Sequence, residues 1–440
     1  MGLFSNNPKE GPFRICIVGG HFPILGRSAE EGFLWPLAKG LAERGHEVTI
    51  LSWRNPQRRP QIKTDRIQAY FLGEQTRSPR RLFPEMALKK FNELHNDQPF
   101  DLVHSLDDSG ALIGKHRKSF GIAMTYDVAA TQMAQIFAIM AMGQESLGSL
   151  LQTSTAVFYK FMTTYFGSDR KLLNSADGMF VTTPQQSQML ERYYLYPELK
   201  TYRVPYGSEY VDLSPREKSE DLRKELSIPL NAKNILTVTD MTEMEELLGL
   251  LYAFQKLVVK KPSTRLIIVG NGPLWNELEY ETLNLALGSK VIFTGAVSNE
   301  VLPDYINLTD VYVNLSSRTS GFEPSMLEAM ALGKVVVGSE LSSISTVIQD
   351  GENGFLIRPA DEASLLKILT KVVTETLPVD EIGTRARQTV IDIFDREKMA
   401  DELLSGFRKA LENTGRTPKS AEIAPRQEPY GGSTGSELQN

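Results

Sequence analysis

The residues best equipped for chemistry lie in one stretch, Ser320-Gly321-Phe322-Glu323-Pro324-Ser325-Met326-Leu327-Glu328-Ala329-Met330-Ala331-Leu332-Gly333-Lys334-Val335-Val336-Val337. A glycine-bearing loop there feeds a short helix, followed by a glycine and a buried strand. Glu328, read as lying in the first helical turn, is placed to accept hydrogen bonds from ribose hydroxyls. Ser325 and Glu328 also have the Ser-x-x-Glu spacing of a capping box, and the two roles are compatible.

Two more glycine turns could receive an anion. In Ile268-Val269-Gly270-Asn271-Gly272-Pro273-Leu274 a strand ends in glycines and Pro273 stands where a helix would open, so backbone amides could cradle a phosphate. A tight strand-to-helix turn explains the same residues equally well. Val18-Gly19-Gly20-His21-Phe22-Pro23 follows the first strand and lets amides approach a ligand closely, but no Gly-x-Gly-x-x-Gly fingerprint accompanies it. His104 after the fourth strand and Asp127 after the fifth could both overlook a cleft. Of the five histidines, His46 reads as structural, and His95 and His116 as surface helix residues. Their spacing predicts no zinc site.

Short β-branched runs alternating with amphipathic stretches must position these groups, the pattern of parallel sheets covered by helices. Strands are expected at 13–18, 47–51, 69–72, 101–104, 122–125, 179–182 and 201–204, then at 234–238, 265–269, 290–293, 311–314, 335–337 and 355–357. Helices are expected at 30–44, 243–260 and 273–286. Each half is therefore a doubly wound, Rossmann-like sheet, and ligands of such sheets bind beyond the carboxyl ends of the strands. The division reads as 1–207 and 208–394, with a final helix at 395–413 and a polar, disordered tail over 414–440. A helical insertion at 129–175 interrupts the first half, and its apolar start, Met133 to Met142, reads as buried packing or as a greasy acceptor channel.

Composition narrows the class. At 440 residues, 41% of them hydrophobic, the chain can bury two cores. Its single cysteine, Cys16, lies in an apolar strand and predicts no intrachain disulfide. The amino terminus does not read as a signal peptide, and no stretch approaches a membrane span, which places the expected setting in the cytoplasm. Residues 1–200 hold 23 Lys+Arg and 19 Asp+Glu, whereas the remainder holds 25 and 35. An acidic second half argues against nucleic acid as a partner. Residues 51–90 hold ten Lys or Arg and three acids, either a solvated face or one that meets anionic lipid at the inner face of the cell membrane.

Over nearly all of 13–412 the chain resembles the retaining glycosyltransferases of family 4 (group 1), which have the GT-B fold. The resemblance rests on Gly45-His46-Glu47-Val48, Asp101-Leu102-Val103-His104, Val204-Pro205-Tyr206-Gly207, Val269-Gly270-Asn271-Gly272-Pro273, Leu327-Glu328-Ala329-Met330 and Asp350-Gly351-Glu352-Asn353-Gly354, in that order. It implies two facing domains, with a nucleotide sugar bound by the second and a lipid or saccharide acceptor by the first. It further implies no metal or other cofactor, a final helix that returns to the first domain, and a role in polysaccharide biosynthesis. Glu328 with Ser320, His104 and Asp127 would be the catalytic set. Gly19, Gly20, Gly270, Asn271, Gly272, Pro273, Gly321, Phe322, Pro324, Ser325 and Met326 would surround the donor.

The family pattern is also broken in places. Ser320 stands where a first glutamate would contact the donor sugar, and Tyr126-Asp127 where a histidine is usual. Asp240 and Glu245 align with an arginine and a lysine that neutralise the diphosphate. Like charges about 4 Å apart repel by about 4 kcal/mol at an effective dielectric of about 20, so Arg318, Lys334 or Arg265 would have to substitute. These departures leave three readings: an active transferase, a degenerate member that scaffolds or regulates a partner enzyme, and a GT-B sugar-nucleotide epimerase.

Overall fold

The structure is a computed structural model that describes residues 11–21, 34–54, 59–74, 80–131, 159, 162, 167–205, 210–242, 244–298, 300–316, 324–340, 343–358 and 361–415. The β-branched run Ile15-Cys16-Ile17-Val18 becomes β1 (Arg14–His21), buried on both faces as parallel strands are. It is followed by β2 (Glu47–Arg54), β3 (Gln61–Lys63), β4 (Ile67–Phe71), β5 (Leu102–Ser105), β6 (Ala123–Asp127), β7 (Gly178–Val181) and β8 (Thr201–Arg203). Their order across the sheet is β3-β4-β2-β1-β5-β6-β7-β8, parallel throughout except for β3 against β4. The three-residue edge strand β3 is the element that periodicity misses, because one apolar residue between two polar ones carries too little pattern.

A second sheet holds β9 (Asn234–Val238), β10 (Arg265–Val269), β11 (Val291–Gly295), β12 (Val311–Asn314), β13 (Val335–Ser339) and β14 (Phe355–Ile357), ordered β11-β10-β9-β12-β13-β14. The connection reverses between β1 and β5 in the first sheet and between β9 and β12 in the second. Loops diverge at such switch points and leave a crevice at the carboxyl edge. Two Rossmann-like, doubly wound parallel-sheet domains result, the architecture expected from the strand pattern.

Val204 belongs to the first core and Tyr210 to the second, so the chain passes between domains within 205–209. It returns between Phe394, packed in the second core, and Met399, packed in the first. The returning helix, Arg396–Asn413, is started by Asp395, whose side chain accepts from the Lys398 amide at 3.0 Å. Leu403, Phe407 and Ala410 lie on the first sheet beside Ile15, Ile17 and Phe180. Arg44 pairs with Glu397 at 3.1 Å and with Asp401 at 2.8 Å, fixing this helix to Leu34–Glu43.

This packing corrects two histidine assignments. His104 does not overlook a cleft: it is fully buried within β5, its Nδ1 3.1 Å from Thr125 Oγ1 and its ring edge-on to Phe180 and Phe407. The returning helix, three hundred residues downstream, covers it. His95 is buried rather than superficial, accepting from the Phe100 amide at 3.1 Å and stacking on Phe91. His46, as expected, is structural: its Nδ1 accepts from the Phe13 amide at 2.9 Å. Burial pushes the Cys16 thiol well up, as befits a core residue.

Burial also holds the His104 imidazole down at about 3, against an ordinary value of 6.5. The ring is therefore neutral in the folded chain and protonates once unfolded. Its contribution to stability is complete above about pH 6.5 and is lost progressively as pH falls from there toward 3. In urea titrations, His104→Leu should flatten the fall of stability between pH 6.5 and 5 by up to ~1.4 kcal/mol per pH unit. An unchanged slope would mean that His104 already titrates normally in the folded state.

Among the described residues no helix is long and apolar enough to cross a membrane. Of the basic segment, Arg66 donates to the Gly45 carbonyl at 3.0 Å, and Lys90 pairs with Glu93 and lies over the Tyr70 ring. Arg59, Lys63, Arg81 and Lys89 are exposed. The expected apolar insertion falls largely on 132–158 and the expected tail largely on 416–440, both outside the described residues.

Candidate functional site

The loops after β9 and β12 form the switch point of the second sheet. After β9 the Thr239 amide donates to the Val269 carbonyl at 2.9 Å and Thr239 Oγ1 accepts from the Met241 amide at 3.0 Å. Met241 is buried with φ +51°, a left-handed conformation that a non-glycine side chain adopts at a cost. Asp240 Oδ1 accepts from the Thr242 hydroxyl at 2.8 Å and from its amide at 3.2 Å.

This turn interlocks with the one after β10. A Cβ on Gly270, whose φ is +129°, would lie 1.8 Å from the Thr239 carbonyl oxygen. One on Gly272 would lie 1.7 Å from that of Asp240. The two glycines are thus required by backbone contact between neighbouring loops. Of the amides in the expected phosphate cradle, that of Gly270 is engaged, donating to the Gly295 carbonyl at 3.0 Å. The helix also begins at Trp275, two residues beyond Pro273, and the Trp275 amide is turned onto the Gly272 carbonyl at 3.2 Å. Asn271 and Pro273 are exposed on this turn.

After β12 the Ser316 amide closes onto Asn314 Oδ1 at 2.9 Å. Ser320, Gly321, Phe322 and Arg318 fall in 317–323, outside the described residues. The helix Pro324–Ala331 then runs into the core with every residue buried. Pro324 is its first residue, where the missing N–H costs nothing. Ser325 is consequently inside the helix instead of capping it, and its Oγ lies 2.7 Å from the Tyr312 hydroxyl of β12. The capping box is therefore not formed, and Glu328 is the fifth helical residue, in the second turn. Met326 is 1% exposed and Glu328 3%, among Leu327, Ala329 and Met330. Holding a carboxyl group in such surroundings is costly unless something specific engages it.

At the first sheet's switch point, Gly19 and Gly20 lie within β1 and not in a loop after it. The Gly20 amide donates to Asp107 Oδ2 at 2.7 Å, across the gap to the residues following β5. Asp107 Oδ1 accepts from the Ser109 amide at 2.9 Å, and the Asp107 carbonyl accepts from Ser105 Oγ at 2.7 Å. Asp107 is a residue that sequence reasoning misses; its signal is the Asp-Asp-Ser-Gly turn directly after a buried strand. Asp127 ends β6, 7% exposed, and its Oδ1 accepts from the Ala129 amide at 2.9 Å. Tyr126 points into the core, its hydroxyl 2.9 Å from Ser175 Oγ. Of the four expected catalytic residues, Glu328 lies on the helix after β12 and Asp127 at the carboxyl end of β6, His104 lies on the switch-point strand β5 with its ring buried in the core, and Ser320 is outside the described set.

Residues 33–207 match the family model described as "Glycosyl transferase 4-like domain", and 218–389 match "Glycosyl transferases group 1". The chain belongs to the group 1 glycosyl transferases. Among relatives of this enzyme family, N-acetyl-alpha-D-glucosaminyl L-malate synthase of Bacillus anthracis is 23% identical over 394 residues, covering 87% of this chain and 93% of its own. The solved sucrose-phosphate synthase of Thermosynechococcus elongatus superposes with TM-score 0.73 at 19% identity, over 91% of this chain and 99% of its own. An Anabaena protein, HepE, solved with UDP-glucose, gives 0.67 at 16%, over 89% and 98%. These likenesses establish the GT-B fold.

Within this glycosyltransferase, two of the cations expected to face the diphosphate lie at the opposite edge of the sheet. Lys334 precedes β13 at the amino edge, where Nζ donates to the Asn307 carbonyl at 2.7 Å and burial lowers its pKa to about 8. Arg265 opens β10 at the same edge and donates to the carbonyls of Pro262, Ser263 and Thr264. Neither occupies the carboxyl edge near Asp240. Glu245 is the second residue of the helix Met244–Lys260. Among the described residues no three His, Cys, Asp or Glu side chains are grouped to hold a metal ion.

Proposed function

We propose that this glycosyltransferase moves a sugar, with retention, from a nucleoside-diphosphate donor at the β9–β12 switch point to a saccharide or lipid-linked acceptor at the β1–β5 switch point, without a resident cofactor. The observation that carries the reading is Glu328, a carboxyl group 3% exposed on the helix that follows the switch-point strand. In this reading it accepts hydrogen bonds from the donor's ribose hydroxyls. HepE, of the same fold, was solved with UDP-glucose, which supports a uridine donor. With the Asp240 carboxylate nearby, the diphosphate relies on backbone amides and on Arg318, the one basic residue between β12 and Pro324, and transition-state charge must be met there.

Incubating the purified chain with UDP-glucose, UDP-N-acetylglucosamine and GDP-mannose should release nucleoside diphosphate from at least one of them. An α-linked product from an α-linked donor would accord with retention. Absence of release from every donor, with and without candidate acceptors, would overturn the proposal. The exposed cations Arg59, Lys63, Arg81 and Lys89 support a peripheral position on anionic membrane. Sedimentation with vesicles rich in acidic phospholipid at low salt, lost at high salt, is the expected behaviour. Equal sedimentation with neutral vesicles would contradict it.

A further inference from the structure

The Gly20–Asp107 contact joins the two segments that flank the acceptor-side switch point, 87 residues apart in the chain. Such amides at the end of a first strand are the groups that would otherwise receive a phosphate or carboxylate. Here a carboxylate of the protein already occupies the Gly20 amide, and an incoming anion would meet both a filled donor and a like charge. Recognition of phosphate or carboxylate also calls for arginine or lysine. The residues following β5, β6 and β7 (Leu106 to Gly110, Val128 to Thr131 and Thr182 to Pro184) include neither, and Arg54, which ends β2 beside β1, lies over the Trp53 ring, 5.7 Å from its centroid.

A carboxylate has about four lone-pair positions, and the Gly20 and Ser109 amides take two of them on Asp107. The remainder can accept from hydroxyl groups. We propose that Asp107 is a specificity-determining residue: it holds the β1 end in place and makes the acceptor subsite select a neutral, hydroxyl-bearing group while rejecting an anionic one at that position. The proposal rests on the glycosyltransfer reading above and adds the chemical class of the acceptor.

The test uses the full chain with whichever nucleotide sugar it hydrolyses, and paired probes: glucose with glucose 6-phosphate, and glycerol with glycerol 3-phosphate. The neutral member of a pair is expected to stimulate nucleotide release at a KM at least about tenfold lower than its phosphorylated counterpart, a like-charge clash being worth at least that factor. Asp107→Asn can still accept from the Gly20 amide through its side-chain oxygen but carries no charge, so it should narrow the ratio to less than about threefold. Asp107→Ala frees the amide and should narrow it further. A purely structural role would change rates for both members alike and leave the ratio fixed. Equal stimulation by both members, preference for the phosphorylated one, no response to either while hydrolysis proceeds, or an unchanged ratio in Asp107→Asn would each overturn the proposal. Failure to hydrolyse any nucleotide sugar would instead strike the glycosyltransfer reading on which it stands.

Discussion

On the proposed reading, Glu328→Ala is expected to lower sugar transfer by about a hundredfold or more, because it removes a polar contact to the donor and not a helix cap. The structure separates these roles. Ser325 is bonded to Tyr312, Pro324 opens the helix, and Glu328 sits two residues beyond the position that completes a capping box. Losing a cap would cost about 1 kcal/mol in the ligand-free protein. Steady-state rates with the preferred donor check this, and a thermal melt without ligand shows that the variant is folded. A normal rate in the folded variant would count against Glu328 as a donor contact.

Gly270→Ala should destabilise the second domain by more than about 3 kcal/mol, one of the largest effects available to a single methyl group. Two costs coincide there. A φ of +129° lies where only glycine is at ease, and the new Cβ would stand 1.8 Å from a backbone oxygen that the Thr239 to Val269 hydrogen bond holds in place. Gly351→Ala is the matched control, since Gly351 also has positive φ, +77°, but nothing within 4 Å of the added carbon. It should cost about 1 kcal/mol. Similar thermal midpoints for the two variants would show that the loops after β9 and β10 do not interlock as described. Met241, held at φ +51° in the first of these loops, belongs to the same interlock.

The architecture was legible because its signals are local. Most buried strands announce themselves as short apolar runs with β-branched or aromatic residues, and thirteen of the fourteen strands lie within a few residues of where periodicity places them. The site was legible only in part, because its chemistry depends on partners far along the chain. Nothing around His104 reveals that Phe407 covers it, and nothing around Ser325 reveals that Tyr312 takes its hydroxyl. Gly270 and Gly272 are signalled clearly as glycines but ambiguously as to purpose; the spacing that suits a phosphate also suits the approach of Thr239 and Asp240. Asp107 needed the fold to bring it beside Gly20. Lys334 and Arg265 were plausible as nearby cations until the sheet placed both at its amino edge.

Calorimetric titration of UDP into the purified chain tests the central claim most directly, that the β9–β12 switch point holds a nucleoside diphosphate despite the Asp240 carboxylate. One saturable site per chain is expected, with binding weakened at least about tenfold in Glu328→Ala. No binding at millimolar nucleotide, or binding indifferent to Glu328, would contradict it.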